Sequence, residues 1–300
     1  MEALISYFKR EKITAVEHCS MSRYSTFRIG GTARLAVFPK NRDQLLRAAS
    51  AVADAGVPCT VVGRGSNLLF PDKEYAGVVI LTVHVIELRS QETELEADAG
   101  VPLIALATRA RNLSLGGVEF AAGIPGTVGG AVLMNAGAFG GCMEQIVTWV
   151  DCWNTKKKRV ERFEAGAHGF GYRTSLYAKS PQLILLGVGF SLPESDEKEI
   201  DRLMEEYRRR RADTQPKGYP NCGSIFKNPE GDSAGRLIEA CGLKGARVGG
   251  AVISEKHANF IVNAGGACAR DVRALIALAQ NRVEAETGIR LQCELRELKP

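Results

Sequence analysis

A run of 24 residues without a charged side chain, residues 120–143, most restricts what this chain can fold into. The run is long enough to cross a bilayer, but seven of its residues are glycine and one is proline. Lipid requires every backbone polar group to be satisfied inside the span. Repeated glycine, together with Pro125 and Asn135, disfavours the continuous helix that this would need. We therefore expect no membrane span here, and we expect the backbone of the run to be used inside the protein.

Length and composition indicate a globular protein of two domains. At 300 residues the chain exceeds the usual size of one hydrophobic core, and 45% of it is hydrophobic and 24% charged. The net charge is +5, and four arginines stand together at 208–211. They close a segment with an acidic start, which is typical of a solvated helix end. No aromatic residues alternate with basic ones to stack on bases, so we expect no nucleic-acid partner.

The cysteines and the N-terminal segment indicate a reducing compartment. Eight cysteines are scattered without a C-x-x-C pair and without a histidine at metal-ligand spacing. We expect reduced thiols, with no metal site and no disulfide framework. The segment "MEALISYFKREK" lacks the long apolar run of a signal peptide, so we expect a cytoplasmic protein.

The periodicity of apolar residues predicts a mixture of helices and strands. Residues 43–55 and the segment "PLIALATRARNLSL" have helical spacing, whereas "CTVVG", "ETELEADAG" and residues 182–192 are typical of strands. After residue 212 the sequence predicts two helices, "SAGRLIEACG" and "ARDVRALIALAQNRVEAETG". The strands predicted there are "GAVIS", "ANFIVN" and a closing "RLQCELREL".

A change in composition near residues 206–216 predicts a domain boundary, because Pro216, Gly218 and Pro220 follow a strongly charged helix. We predict an α+β fold in which residues 1–206 form one region, with lobes of about 1–82 and 83–206. Residues 207–300 would form a smaller C-terminal domain.

A first glycine loop, "GRGSN", follows the predicted strand "CTVVG". It is not a dinucleotide fingerprint, since Leu68 stands where the third glycine would be, and no Gly-Lys-Ser/Thr of a P-loop follows. Such a turn can present several backbone N–H groups, with the Ser66 and Asn67 side chains, to an anion. A plain tight turn between two strands explains the loop equally well.

A second glycine loop lies in the charge-free run. It contains Gly123, Gly126, Gly129 and Gly130 within eight residues, followed by Gly137. Glycine allows close approach of backbone to a ligand, and Thr127 and Asn135 could add directional hydrogen bonds. The alternative is a pair of close-packed turns, but the entropy lost in ordering so many glycines favours a bound ligand.

Several motifs in fixed order resemble one known family. "FRIGGTA", "GRGSN", "GIPGTVGGAVLMNAGAFGG", "FGYRTSLY", "NCGSIFKNP", "AGRLIEACGLKGARVGGAVIS", "KHANFIVN" and "CELRE" follow the order found in UDP-N-acetylenolpyruvoylglucosamine reductases. The resemblance extends from about residue 22 to residue 297. Long motifs in one order are far more specific than a single glycine loop.

The resemblance implies a fold and a cofactor. Members of the family have a two-lobed FAD-binding region of the vanillyl-alcohol-oxidase (PCMH) type and a smaller C-terminal substrate domain. FAD is bound without a covalent tether, and NADPH is the co-substrate. Carried over to this chain, the cofactor-binding residues would be Gly63, Arg64, Gly65, Ser66, Asn67, Gly123, Pro125, Gly126, Thr127, Gly129, Gly130, Asn135 and Gly137.

The resemblance also implies a reaction, in which UDP-N-acetylglucosamine enolpyruvate is reduced to UDP-N-acetylmuramate for peptidoglycan. Catalytic roles would fall to Arg173, which binds the substrate carboxylate, to Glu294 as a hydrogen-bonding carboxyl group, and to Ser224 as proton donor. Besides Arg173, the substrate would contact Lys217, Asn228 and Arg236.

The chain departs from part of the family in one respect. A longer form carries a tyrosine-bearing insertion that closes over the substrate, and the segment between Tyr177 and Gln182 has no room for it. The match is therefore with the shorter form. We expect a monomer with neither a membrane nor a nucleic-acid partner.

Other functions remain open on the sequence. The chain could be a different flavin oxidoreductase on the same FAD scaffold, although His18 and Cys142 lie in no covalent tethering motif. It could also be a non-catalytic binder of nucleotide sugars. A Rossmann dehydrogenase is disfavoured, because it would need a helix directly after Gly65.

Overall fold

The computed structural model describes residues 1–299. Within them the α-helices are α1 (Glu2–Arg10), α2 (Arg42–Asp54), α3 (Leu103–Arg111), α4 (Val128–Met134), α5 (Leu176–Lys179), α6 (Glu197–Thr214), α7 (Ala234–Ala240) and α8 (Ala269–Thr287). The first ten strands are β1 (Thr14–Ser20), β2 (Thr32–Phe38), β3 (Cys59–Val62), β4 (Leu68–Leu69), β5 (Tyr75–Leu81), β6 (Leu88–Gln91), β7 (Glu94–Asp98), β8 (Gly137–Ala138), β9 (Gly141–Cys142) and β10 (Val147–Asn154). The remaining strands are β11 (Arg159–Glu164), β12 (Leu183–Ser191), β13 (Asn221–Ser224), β14 (Arg247–Val248), β15 (Ala251–Ile253), β16 (Phe260–Asn263) and β17 (Arg296–Glu297).

These elements form two compact units, each made of separate chain segments. The first unit contains Met1–Glu17, Leu35–Arg64 and Gly77–Arg210. The second contains His18–Arg34, Gly65–Ala76 and the chain from Arg211 onward. The units differ from the predicted domains 1–206 and 207–300 because two N-terminal segments group with the C-terminal part. That residues 1–206 and 207–300 fold as separate domains stays a prediction.

A five-stranded antiparallel sheet dominates the first unit, in the order β11-β10-β12-β7-β6. Its strand β12 is buried along eight of its nine residues, which explains why its sequence "LILLGVGFS" does not alternate. A side chain at Gly189 of this strand would collide with the ring of Trp149. Helices α3 and α4 contribute Leu106 and Val132 to the core beside this sheet.

A second sheet, in the order β1-β2-β5-β3, leads the chain into the first glycine loop. Strands β3 and β5 are parallel, with Val62 opposite Leu81. Helix α2 supports this part of the fold and begins after Asn41, whose side chain accepts the N–H of Gln44. The predicted helix over residues 43–55 and the predicted strand "CTVVG" are therefore confirmed.

The second unit is built on a sheet in the order β13-β16-β15-β14, beside which helix α8 contributes Val272 and Leu275 to the core. Phe27 and Leu69, from the two N-terminal segments, are buried in the same core. The predicted helices and the first two predicted strands of this region are confirmed. The predicted closing strand is wrong in extent, because only Arg296–Glu297 forms a strand, in parallel with β4, while Cys293 makes a single isolated bridge to Phe226.

The charge-free run is not one loop, since it contains the seven-residue helix α4. Between residues 1 and 299, no helix combines the length and the apolar character needed to cross a bilayer.

Candidate active site

The first glycine loop connects β3 to β4 and offers a series of unused hydrogen-bond donors. The backbone N–H groups of residues 63–67 find no acceptor anywhere in the described part of the chain. Gly65 is buried and has a φ of +59°, a conformation that favours glycine. Unpaired backbone donors inside a protein need a partner, and consecutive donors in one turn suit an anion. The loop therefore has the donors to bind an anion such as a phosphate group.

The second glycine loop contains fewer unused donors than its glycines suggested. Thr127 is the N-cap of α4, and its hydroxyl accepts the N–H of Gly130 at 3.4 Å. The N–H of Gly129 donates to the carbonyl of Ala99 at 2.8 Å. Among the described residues, the N–H groups of Gly123 and Thr127 are left without an acceptor, although Thr127 is buried. These two N–H groups are the donors that this loop leaves available to a ligand.

Three glycines of the two loops are required by packing inside the protein. A Cβ atom on Gly63 would collide with the side chain of Thr127. A Cβ on Gly129 would lie 2.9 Å from the Cβ of Ala99, and one on Gly137 would lie 2.7 Å from the carbonyl of Gly141. The alternative of close-packed turns therefore holds for these positions. Close packing explains why these three positions are glycine. The unpaired N–H groups are the separate feature that indicates a ligand.

Asn135 ends helix α4 in the left-handed conformation, with a φ of +43°. Its side chain donates to the carbonyl of Gly171 at 3.2 Å and to the carboxylate of Glu144 at 3.3 Å. Its side-chain oxygen accepts the N–H of Glu144 at 3.0 Å. Both amide hydrogens are thus used within the protein, although the sequence suggested that this residue binds the cofactor.

Arg173 lies in a tight turn that two hydrogen bonds close between Gly171 and Thr174. Its φ is +55°, which is uncommon for a residue other than glycine or asparagine. One terminal nitrogen of the half-buried guanidinium donates to the carbonyl of Gly137 at 3.1 Å. Arg173 thus lies in a turn of the first unit whose backbone is strained at this residue.

Ser224 and Glu294 come together in the second unit. Ser224 ends strand β13, opposite Phe260 of β16. The carbonyl of the next residue, Ile225, accepts the N–H of Glu294 at 2.8 Å. The carbonyl of Glu294 in turn accepts a hydrogen bond from the side chain of Asn67 at 3.2 Å. The hydroxyl of Ser224 makes no hydrogen bond with residues 1–299, so it can reach a ligand.

Cys222 is a core thiol in the strand that bears Ser224. Burial raises its pKa well above the usual range. A thiol with a raised pKa is protonated and inert as a nucleophile. Cys222 is therefore a packing residue of the core.

The three other residues predicted to contact the substrate differ in exposure and in their contacts within the protein. Lys217 is exposed. The side-chain oxygen of Asn228 accepts the N–H of Ala234 at the start of α7, at 3.1 Å. Arg236 is exposed and forms an ion pair with Asp232. Binding of a substrate by Arg236 would have to compete with this pair, and all three roles stay predictions.

Two buried residues that support the candidate catalytic groups escaped the sequence analysis. The amide of Asn259 accepts the N–H of Phe226 and donates to its carbonyl, both at 2.9 Å. The hydroxyl of Ser175 donates to the carbonyl of Leu133 at 2.7 Å and caps α5. The serine before "LYAK" is an N-cap signal that could have been noticed, whereas nothing local marks Asn259.

Other types of site are absent from the part of the chain that is described. Residues 1–299 contain no group of three or more His, Cys, Asp or Glu side chains that could hold a metal ion. All eight cysteines are free thiols.

Comparisons with protein families agree with this geometry. A model of the UDP-N-acetylenolpyruvoylglucosamine reductase C-terminal domain matches residues 215–298, and a model of an FAD binding domain matches residues 33–161. The predicted α+β fold, with an FAD-binding region followed by a smaller C-terminal domain, is confirmed.

Individual relatives match over almost the whole chain. A UDP-N-acetylenolpyruvoylglucosamine reductase of Caldicellulosiruptor bescii is 42% identical over 97% of this chain and 92% of its own. One of Heliobacterium modesticaldum is 46% identical, over 92% and 88%. The crystal structure of the reductase (MurB) from Thermus caldophilus has a TM-score of 0.80 at 36% identity, covering 96% of this chain and 99% of that one. On this identity and coverage, the chain belongs to the UDP-N-acetylenolpyruvoylglucosamine reductase family.

Proposed function

We propose that this protein reduces UDP-N-acetylglucosamine enolpyruvate to UDP-N-acetylmuramate with NADPH, through FAD, in peptidoglycan precursor synthesis. The observation that carries the proposal is family membership over 97% of the chain. The unpaired N–H groups of residues 63–67 add a structural reason to expect a nucleotide cofactor. A different flavin oxidoreductase and a non-catalytic binder are not favoured, because neither alternative accounts for this match.

The proposed FAD-binding residues lie in the two glycine loops. Residues 63–67, Gly123 and Thr127 would bind through their free N–H groups. The N–H groups of Gly129 and Gly130 are already paired, so these residues would contribute by close approach of their Cα atoms. The other members of the proposed set are Pro125, Gly126 and Gly137, together with the backbone of Asn135, whose side chain is used within the protein.

FAD, when bound, takes hydride from NADPH and supplies it to the enolpyruvyl double bond. Arg173 would hold the substrate carboxylate, because a planar guanidinium presents parallel N–H groups to both oxygens. The hydroxyl of Ser224 would deliver the proton to the carbon beside that carboxylate. Glu294 would act in its protonated state as a hydrogen-bond donor to the same region. Lys217, Asn228 and Arg236 would contact the rest of the nucleotide sugar.

The proposal also covers the setting of the enzyme. We infer a cytoplasmic enzyme, since both co-substrates are charged and water-soluble. We also infer a monomer, and we infer that FAD is bound without a covalent bond, because His18 and Cys142 lie in no covalent tethering motif. The product is a cell-wall precursor, so its supply links the enzyme to cell wall biogenesis, cell shape and division within the cell cycle.

The visible spectrum of the purified protein tests the proposal. NADPH should bleach the flavin absorbance, and UDP-N-acetylglucosamine enolpyruvate should restore it. UDP-N-acetylglucosamine, which lacks the enolpyruvyl group, is the matched control and should leave the flavin reduced. Acid precipitation should release the FAD into the supernatant. A colourless protein, or equal recovery with both nucleotide sugars, would reject the proposed reaction.

A further inference from the structure

The C-terminal end of helix α4 attaches to the Arg173 turn at several points, all in the first unit. The side chain of Asn135 donates to the carbonyl of Gly171. The carbonyl of Gly137 accepts a hydrogen bond from Arg173, and the carbonyl of Leu133 accepts one from Ser175. Alternate residues from 133 to 137 thus each contact the segment 171–175. The position of Arg173 therefore depends on the end of this helix.

The orientation of the Asn135 amide is determined by its surroundings. Asn135 is only 5% exposed. The N–H of Glu144 can only donate, so the side-chain oxygen of Asn135 must face it. The amide nitrogen is then directed at the carbonyl of Gly171 and the carboxylate of Glu144. A flip of the amide would break all three hydrogen bonds.

The backbone of Arg173 needs such support. A left-handed conformation is unfavourable for a residue other than glycine and persists only where the surroundings enforce it. Asn135 binds the first residue of the turn, two positions before Arg173. Without that hydrogen bond the turn could relax, and the guanidinium would lose its place.

We propose that Asn135 is a positioning residue for Arg173, and that it controls recognition of the substrate carboxylate through that arginine. This inference rests on the proposed function, which assigns Arg173 to the carboxylate. It gives the amide a role in substrate selection that is distinct from cofactor binding.

Two variants of Asn135 separate the side chain from the backbone. Asn135→Gly keeps a residue that adopts a positive φ and removes the amide. Asn135→Asp keeps the shape, but its carboxylate cannot donate to Gly171 and it faces Glu144. Asn154 is a matched control, since it is a buried asparagine of the same unit that accepts two backbone N–H groups and donates to Glu161.

The measurement is calorimetric binding to the oxidised holoenzyme of two ligands, UDP-N-acetylglucosamine enolpyruvate and UDP-N-acetylglucosamine. The ratio of their affinities reports recognition of the enolpyruvyl carboxylate. We expect both Asn135 variants to lower this ratio by about ten- to a hundredfold, the range of one hydrogen bond to a charged group. UDP-N-acetylglucosamine itself should bind as before, and Asn154→Ala should leave the ratio unchanged.

A double-mutant cycle with Arg173→Ala decides how Asn135 acts. If the amide acts through the arginine, Asn135→Gly has no further effect on the ratio in the Arg173→Ala background. An unaltered ratio in Arg173→Ala alone would reject the role given to Arg173 in the proposed function. Loss of the preference in Arg173→Ala but not in the folded Asn135 variants would overturn the positioning role. Equal weakening of both ligands, or additive effects in the cycle, would also overturn it.

Discussion

Two asparagines show what individual residues of this chain do. Asn67 and Asn135 both lie in glycine loops, where the sequence suggested contact with a cofactor. In the structure Asn67 donates to the carbonyl of Glu294, and Asn135 donates to the carbonyl of Gly171. Each amide thus binds the backbone of a segment that carries a candidate catalytic residue. An asparagine side chain can bind either a cofactor or a backbone group, and only its neighbours in the structure decide which it binds.

Ser224 can be tested as a proton donor. Its hydroxyl makes no hydrogen bond within residues 1–299, so Ser224→Ala should leave the fold and the reduction of FAD by NADPH nearly unchanged. Reoxidation by the enolpyruvyl substrate should slow by about 10⁴-fold or more, the upper end for positioned acids. Stopped-flow absorbance measures both half-reactions. Ser254→Ala, a buried serine of the same unit, is the control. Equal slowing of both half-reactions would exclude this role.

Gly63 and Gly130 differ in whether packing within the protein requires a glycine at that position. A methyl group on Gly63 would collide with Thr127, whereas the nearest atom to one on Gly130 is 3.5 Å away. We expect Gly63→Ala to lower the free energy of unfolding by about 1–3 kcal/mol. Gly130→Ala should preserve stability or raise it by up to about 1 kcal/mol, as in other helices. Urea unfolding of the apoprotein measures both values. Wild-type stability in Gly63→Ala would refute the packing account.

Helix α4 shows how elements override local preference. Its seven residues include two adjacent glycines, which disfavour a helix. Thr127 caps its start and Asn135 ends it, while Val128 and Val132 are fully buried in the core. Packing and capping thus stabilise a helix that the composition of the run did not predict.

Helix α8 depends on a cap from a distant segment of the second unit. The carboxylate of Asp72 accepts the N–H of Ala269 at 2.6 Å and that of Arg270 at 3.0 Å. We expect Asp72→Ala to lower the free energy of unfolding by about 1–2 kcal/mol, because the acceptor of two N–H groups in the first turn and a favourable charge are lost. Asp72→Asn keeps an acceptor and should lose less. Urea denaturation compares the variants, and equal stability of the two would argue against the charge.

The division of the whole chain is open to a direct test. Phe27, Ile29 and Leu69 are at most 2% exposed in the core of the second unit, and all three lie outside residues 207–300. Burial of each such side chain is worth about 1.5–3 kcal/mol, a large share of the about 5–15 kcal/mol that stabilises a typical domain. We expect the isolated fragment 207–300 to lack a cooperative unfolding transition.

The matched control for the fragment carries residues 18–34 and 65–76 joined to it by flexible linkers. Circular dichroism during heating should show a cooperative transition in this control. If residues 207–300 alone melt cooperatively, the predicted domain bounds are sufficient for folding.

Buried imidazoles predict how stability responds to pH. Burial lowers the pKa of His168 and of His257 below the ordinary value of 6.5. The unfolded chain therefore binds protons first as the pH falls below about 6.5, so stability is full above that pH and decreases below it. Urea midpoints should fall between pH 7.5 and 5.5.

His168→Gln tests the contribution of one of these groups. His168 is 2% exposed, and its Nδ1 lies 2.7 Å from the hydroxyl of Tyr177. Glutamine can keep a polar partner for that hydroxyl and does not titrate. The variant should show a weaker pH dependence than the wild type over the same range. An unchanged dependence would assign the effect to other groups.

The sequence by itself determined the family and the main elements. Long motifs, helical and alternating periodicities, and glycine turns are local or ordered along the chain, so they can be read without coordinates. The residues Arg173, Ser224 and Glu294 became candidates only through the resemblance of the motifs to the reductase family. The tertiary structure decided which N–H groups stay free, which glycines are needed for packing, and which amides bind the backbone near those residues. It also placed residues 18–34 and 65–76 in the second unit. These features depend on contacts between residues far apart in the chain, and one-dimensional patterns do not encode such contacts.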